Sequence, residues 1–433
     1  MTHIEIVARP HAWLLAAFCG ALIFGCGGGG GDAQGDPVTI AVAGPNAIST
    51  WNEIASSTIN QPAATTGTPE EQRPIYANDL ATVHVAMYDA VMSIAGTHRP
   101  YAVAPTVQVA GALQEAAAGA AAYGVLKGLF PSRGATYEAA YINFVAALPN
   151  GEAKTLGLAV GAQVAAGILG LRANDGRLVA LAPYVPGTAA GQFRGAAPVN
   201  RFLPSVRPFV VYSLAQFRAP APPALTSAAY AADFEEVRKL GSATSSTRTA
   251  DQTEMARFNT EPPPLFWSRN LRKFAMTGRS LAEHARLMAM LWVAHADASN
   301  ACFESKYYYN AWRPNSAIAL ADTDDNPTTN ADVAWAPVVA TPNHPEYPAA
   351  HSCAAGATAA VLRAFYRTNE VSFPFDSTVT GTTRSFASAR ALADELAVAR
   401  IAGGMHFRYA TVAGDALGEQ VGNWVATQAF TAR

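Results

Sequence analysis

Charge is scarce in this chain: Asp, Glu, Lys and Arg make up 14% of its 433 residues, and 30 basic against 32 acidic side chains leave a net charge of −2. Without a basic excess there is no footprint for nucleic acid, and any cationic feature has to be local. Cysteine is scarcer still, with Cys19, Cys26, Cys302 and Cys353 the full set. Nothing resembles a haem-binding signature or a cluster of divalent-metal ligands, and no apolar run has the length of a comfortable membrane span. Half of the residues are apolar, which suits a large buried core.

The amino terminus reads as a targeting segment. Arg9 gives a positive flank, Ala12 to Gly25 form a short apolar run, and Cys26 follows Leu22-Ile-Phe-Gly25. This pattern resembles a bacterial lipoprotein signal, with residues 1–25 removed, Cys26 lipidated as the first mature residue, and residues 26–45 serving as a Gly-rich flexible tether. Phe24 is bulkier than the residue usual before Gly-Cys, so a soluble exported form is the alternative. Either way the expected location is the periplasm or cell envelope, with a lipid anchor the only membrane attachment. Cys302 and Cys353 then remain, either paired in an oxidising compartment or buried separately as small hydrophobes.

Apolar residues recur at helical spacing over 77–95, 111–130, 135–148, 152–171, 230–240, 252–258, 277–298, 352–366, 385–401 and 412–430. The stretch from Thr155 to Leu171 is Gly- and Ala-rich and reads as a buried helix. Pro-rich segments at 182–223 and 261–265 separate an amino-terminal helical group from a later one. The fold class expected is all-α, a helical bundle in a single domain spanning 46–433, with Pro-rich loops over the mouth of a site.

That site is expected within residues 300–410, where three clusters stand in order: Lys306-Tyr-Tyr-Tyr-Asn-Ala-Trp-Arg313-Pro314, Pro348-Ala-Ala-His351, and Arg400-Ile-Ala-Gly-Gly-Met-His406. They supply three fixed cations and two imidazoles, the equipment for gripping a tetrahedral oxyanion. On a continuous helix Lys306 and Arg313, seven residues apart, would share one stripe. Gly403-Gly404 would bend the chain and swing His406 toward the same point. A helix starting after Pro348 would add backbone N–H groups and the positive end of a dipole. His84, His284 and His295 fall in helical patterns and read as packing or capping groups.

The spacing Lys-x6-Arg-Pro, Pro-x-x-His and Arg-x5-His resembles the signature shared by vanadium-dependent haloperoxidases and type 2 phosphatidic acid phosphatases, an all-helical superfamily. Trp292-Val-Ala-His-Ala-Asp297, Thr341-Pro-Asn-His-Pro-Glu-Tyr-Pro348, Trp51-Asn-Glu-Ile and Val83-His-Val-Ala-Met-Tyr-Asp-Ala90 are similar to the bacterial haloperoxidase branch. The resemblance implies vanadate as cofactor, with hydrogen peroxide, a halide and an organic acceptor as reactants. By the same resemblance His406 would bond vanadium, Lys306, Arg313, Arg400 and the backbone N–H of Ala350 would hold its oxygens, and His351 would be the acid/base. His344 and Phe303 occupy the positions that neighbour the halide, which favours bromide or iodide.

Two positions depart from that pattern. Ala349-Ala350 stands where the family usually has Ser-Gly, and Ala410 stands where an aspartate often follows the last histidine, leaving Asp415 as the nearest downstream acid. Two alternatives to the haloperoxidase therefore accompany it: a phosphatase in which His406 attacks phosphorus, and a non-catalytic envelope lipoprotein with a weakened anion pocket.

Overall fold

The computed structural model describes residues 35–61, 63 and 65–433. The expected signal peptide and the expected lipidation site, Cys26, lie outside those residues, as does the first part of the expected tether. From Gly35 onward the chain is tied down rather than flexible: the N–H groups of Gly35, Val38 and Ile40 donate to the carbonyls of Arg367, Glu370 and Ser372. The tether expected to reach residue 45 is thus corrected from Gly35 on, because Val38–Thr39 (β1) pairs as a parallel edge strand with Val371–Ser377 (β2), which pairs antiparallel with Thr382–Phe386 (β3).

The rest is a helical bundle. Helices α1 (Ala47–Ile59), α2 (Tyr76–Ala95), α3 (Gln114–Leu129), α4 (Gly134–Ala146) and α5 (Glu152–Arg172) form the first group. After a long Pro-rich loop come α6 (Ala228–Leu240), α7 (Ala250–Phe258) and α8 (Pro263–Arg272), then α9 (Leu281–Tyr309), α10 (Pro314–Ala319), α11 (Ala350–Tyr366), α12 (Ala389–Ala402) and α13 (Arg408–Gln428). Helix α9 is the axle: it is buried on nearly all sides from His284 to Lys306 and packs on α2, α11 and α13. Such all-round burial fits its Ala, Leu, Met and Trp content.

Helices α11 and α13 make the closest crossing. Gly414, Gly418 and Gly422 recur every fourth residue on one face of α13, and a Cβ on each would fall within 2.6 Å of the carbonyl oxygens of Ala349, Cys353 and Ala357. The partners advance together along both helices, so α11 and α13 run parallel and present their amino termini at the same end. The Ala349 N–H donates to the Ala410 carbonyl there.

Helix α5 is long and apolar enough to cross a membrane by length and composition, and a third of that stretch is buried. Its buried residues, Gly157, Val160, Gly161, Val164, Ala165 and Ile168, form a stripe against α3, so it is a half-buried packing helix rather than a fully buried one.

The structure departs from the helical pattern elsewhere too, beginning with α1, which no expected range covered. Residues 385–401 were expected as one helix, yet 382–386 are strand and α12 begins at Ala389 after the Ser388 cap. Strand β2 alternates inward Val371, Phe373, Phe375 and Ser377, and its phenylalanines pack on Phe266 and Phe274. Pro263 and Pro264 start α8 instead of breaking the chain, since proline fits the first helical turn.

Candidate functional site

Lys306 and Arg313 meet, but not along one helix. Helix α9 ends at Tyr309, Asn310 turns left-handed (φ 48°), and Arg313 precedes Pro314 as the residue capping α10. Proline cannot continue a helix, so the chain reverses and brings Arg313 back over the end of α9. Both side chains are fully buried. Lys306 Nζ donates to the carbonyls of Pro345 and Glu346, each at 2.9 Å, leaving one of its three protons unassigned. Arg313 donates to the carbonyls of His344 (2.8 Å) and Met405 (2.9 Å), to the ring of His344 (3.0 Å) and to His406 Nε2 (3.0 Å).

Arg400 reaches the cluster from the last turn of α12. It donates to the Asn259 carbonyl (2.8 Å) and to the Met405 sulfur, while its Nε has no partner among the described residues. Helix α12 stops at Ala402, Gly404 adopts φ +78°, and Met405 N–H folds back onto the Arg400 carbonyl. This is the expected glycine bend, and it places His406 against Arg313. A Cβ at Gly404 would come within 2.6 Å of the Gly241 carbonyl oxygen, so both backbone conformation and space require glycine there.

What orients His406 lies outside the sequence expectation. Glu346 Oε1 accepts from His406 Nδ1 at 2.9 Å and from the Phe407 N–H at 3.0 Å. The carboxylate holds the imidazole proton on Nδ1 and leaves the Nε2 lone pair facing Arg313. Asp415 instead pairs with Arg390 at 2.7 Å. No local sequence signal singled out Glu346; its one distinguishing mark is an acid between two prolines shortly before His351.

His351 lies in the first turn of α11, which starts at Ala350, two residues earlier than the pattern suggested. Ala349 caps that helix without a side-chain acceptor, and Ala350 keeps a negative φ, so the first N–H groups of α11 remain available. His351, Ala350, His344 and Phe303 line a cavity of about 180 Å³. The rings of Phe303 and His344 lie 5.1 Å apart. A larger hollow of about 470 Å³ beside Arg172 and Asp175 contains none of these residues.

Burial governs the electrostatics. Desolvation pulls Lys306 down to about 8, Arg400 to about 9 and Arg313 to about 10. It pushes Glu346 up to about 7 against the opposing pull of Arg313 and Lys306. His344, His351 and His406 sit well below the ordinary imidazole value, through burial first and the neighbouring cations second. The hydrogen bonds of the three cations go to carbonyls, imidazoles and a thioether, none to a carboxylate among the described residues. Three buried cations facing one carboxylate leave an excess of positive charge, which an oxyanion would offset.

The remaining expectations fall around this centre. Cys302 and Cys353 are both buried and free, and the Cys302 thiol faces the Pro348 carbonyl at 3.7 Å. His84 bonds Asn52 and stacks on Trp292, His295 bonds the Tyr76 hydroxyl, and His284 bonds Asn46 and Thr277, so all three are packing groups.

A family model for the second helical-bundle domain of vanadium chloroperoxidase matches residues 286–432. Among solved structures, the first bacterial vanadium-dependent iodoperoxidase superposes with a TM-score of 0.70 and 25% identity, covering 89% of this chain and 95% of that one. A holo-type bacterial vanadium-dependent chloroperoxidase gives 0.65 and 14% over 89% and 97%, and its apo-type counterpart gives 0.64 and 15% over the same shares. A search of curated protein sequences gives no match. The family model covers the segment that carries Lys306, Arg313, His351, Arg400 and His406, and along nine-tenths of the chain the fold is that of the bacterial vanadium-dependent haloperoxidases.

Proposed function

We propose that this protein is a vanadate-dependent haloperoxidase that oxidises iodide or bromide with hydrogen peroxide. The observation that carries the reading is the group of three fully buried cations around His406, whose Nδ1 proton is held by Glu346. The residues fit vanadate: Lys306, Arg313 and Arg400 would neutralise its oxygens, and the first N–H groups of α11 would donate to them. His406 Nε2 would bond the metal. When bound, vanadate supplies the Lewis acidity that activates peroxide toward a halide.

The chain's own residues do the rest. With the anion bound, Arg313 would direct to it the N–H that faces His406 Nε2 at 3.0 Å in this structure. Glu346 keeps the imidazole from rotating and keeps the lone pair on Nε2. His351, whose burial holds it well below the ordinary imidazole value and so neutral, would take a proton from the incoming peroxide. Phe303 and His344 give the halide an aromatic, polarisable wall, which supports iodide or bromide over chloride; the similarity to an iodoperoxidase points the same way. An organic acceptor would receive the oxidised halogen. Export as an envelope lipoprotein through Cys26 belongs to the same proposal.

The test is a panel on the purified protein: vanadate plus peroxide with iodide, bromide or chloride, against hydrolysis of a phosphomonoester. Halide oxidation that needs vanadate supports the reading. Phosphomonoester hydrolysis without halide oxidation would replace it with the phosphatase, and inactivity in both arms with the non-catalytic protein.

A further inference from the structure

The loop that borders the cavity beside His351 carries charge of one sign. From Gly176 to Ala232 the chain holds five arginines and no Asp, Glu or Lys, in a protein whose net charge is −2. Arg177 pairs with Asp79 at 2.8 Å and Asp175 at 2.9 Å, Arg218 pairs with Glu304, and Arg207 donates to the carbonyls of Leu171 and Ala173 at the end of α5. Arg194 and Arg201 donate to the carbonyls of Ala189 and Ala182 and meet no carboxylate among the described residues. Arg201 stands where the cavity opens: its neighbours Asn200 and Phe202 line that cavity, and Asn200 is exposed. Arg73 precedes the lining residues Pro74 and Ile75, lies over the Phe202 ring at 5.1 Å and donates to the Arg177 carbonyl at 2.7 Å, again without a carboxylate. Both arginines are partly exposed, and no acidic residue lines the cavity. The loop is braced against the site. Asn343, next to His344, donates to the carbonyls of Ala196 and Ala197 and accepts from the Val199 N–H at 3.0 Å, while the Tyr307 hydroxyl, next to Lys306, donates to the Val199 carbonyl.

We propose that this edge is an electrostatic collar, formed by Arg201 and Arg73, that draws small inorganic anions, vanadate and halide alike, through the cavity toward the buried cations Lys306, Arg313 and Arg400. The walls between are largely apolar, with Ile75, Phe202, Leu203, Trp267 and Phe303 among them. Charges of one sign at the mouth of such a passage concentrate their field along it, and the gain appears in the association rate more than in the strength of the bound complex. A guanidinium stays protonated at any working pH, so the collar is permanent. The chain as a whole is slightly negative, so attraction for an anion has to come from a local patch. Hydrogen peroxide is neutral and feels no such pull. The collar rests on the oxyanion site of the proposed function and not on the halogen chemistry.

The test follows association of vanadate with the unloaded full chain by stopped flow at about 0.1 M and about 1 M salt, where the field of a charge decays over about 10 Å and about 3 Å. The wild-type rate is expected to fall about fivefold between the two. At the lower salt Arg201→Gln is expected to slow association about twofold and Arg201→Glu about fivefold, both converging on wild type at the higher salt, with dissociation rates unchanged. Arg201→Lys keeps the charge and is expected to restore the rate, which separates charge from loop structure. Arg367→Asn removes a charge at the far end of α11, about 25 Å from His351 by helix length, and is expected to change nothing. A wild-type rate independent of salt, an Arg201→Lys protein as slow as Arg201→Gln, or equal slowing in Arg367→Asn would overturn the collar and leave the oxyanion site standing. Steered vanadate binding without halide oxidation would keep the collar and overturn only the haloperoxidase reading, and a wild-type chain that binds no vanadate would overturn the site and the collar together.

Discussion

Ala349 and Ala410 touch: the N–H of Ala349 donates to the Ala410 carbonyl at 2.9 Å, and both side chains sit in one small apolar cluster with Ala219, Ala311 and Tyr347. The two departures from the family pattern are therefore one local change. Where the resemblance implies a serine hydroxyl and an aspartate, this chain has a dry contact at the amino terminus of α11, and it obtains the carboxylate for His406 from Glu346 instead.

Ala349→Ser tests that substitution directly. A serine at the capping position of α11 either caps the helix, raising stability by about 1 kcal/mol, or turns its hydroxyl to the anion and tightens vanadate about fivefold. Calorimetric vanadate titration and a melting curve on the same sample separate the two outcomes. A loss of stability with no gain in affinity would show that the apolar contact is the better arrangement here.

Glu346→Leu removes the acceptor from His406 Nδ1 and from the Phe407 N–H. Vanadate affinity is expected to fall about ten- to a hundredfold, the usual cost of losing a partner that orients a metal-bound histidine. Glu346→Gln keeps a carbonyl oxygen in place and is expected to retain most of the affinity. Equal losses in the two variants would contradict an orienting role.

Five residues of the candidate site stood out in the sequence because their types and spacing resemble the haloperoxidase pattern: Lys306, Arg313, His351, Arg400 and His406. The route that joins them was not. The seven-residue spacing of Lys306 and Arg313 suggested one helical stripe, whereas Asn310 and Pro314 end α9 and fold Arg313 back. Glu346 was hidden because burial of a charge leaves no local pattern. Hairpin β2–β3 was missed because Pro374 interrupts the alternation of Val371, Phe373 and Phe375, and α1 because its signal is a capping box at Asn46 and Ser49 rather than a long apolar period. The Gly403-Gly404 bend was read correctly since positive φ and close packing both demand glycine.

Gly404→Ala should misplace His406 without unfolding the bundle. The left-handed φ and the clash with the Gly241 carbonyl and Pro337 together cost about 1–3 kcal/mol. The expected result is a lower melting temperature together with weakened vanadate binding. Reduced stability with normal vanadate affinity would mean that the bend does not set the position of His406.

Anion affinity should fall as pH rises. Lys306 loses its proton through about 8, and Glu346 gains negative charge through about 7, so both changes disfavour an anion. His351 and His406 are already neutral across this range. Sulfate is the suitable probe, because its own charge is constant; its affinity should drop by up to about tenfold per pH unit above the Lys306 transition. Glu346→Gln should abolish the lower step and leave the upper one. A flat profile, or one that rises with pH, would contradict the assignment of these groups.

The most direct measurement is equilibrium vanadate binding to the purified protein and to His406→Ala, read as vanadium retained per chain alongside peroxide-dependent iodide oxidation. The account predicts one vanadate per wild-type chain, phosphate competing for the same site, iodide oxidation that saturates with vanadate occupancy, and loss of both binding and oxidation in His406→Ala. Undiminished vanadate binding in His406→Ala, or iodide oxidation that persists after vanadate is removed, would contradict it.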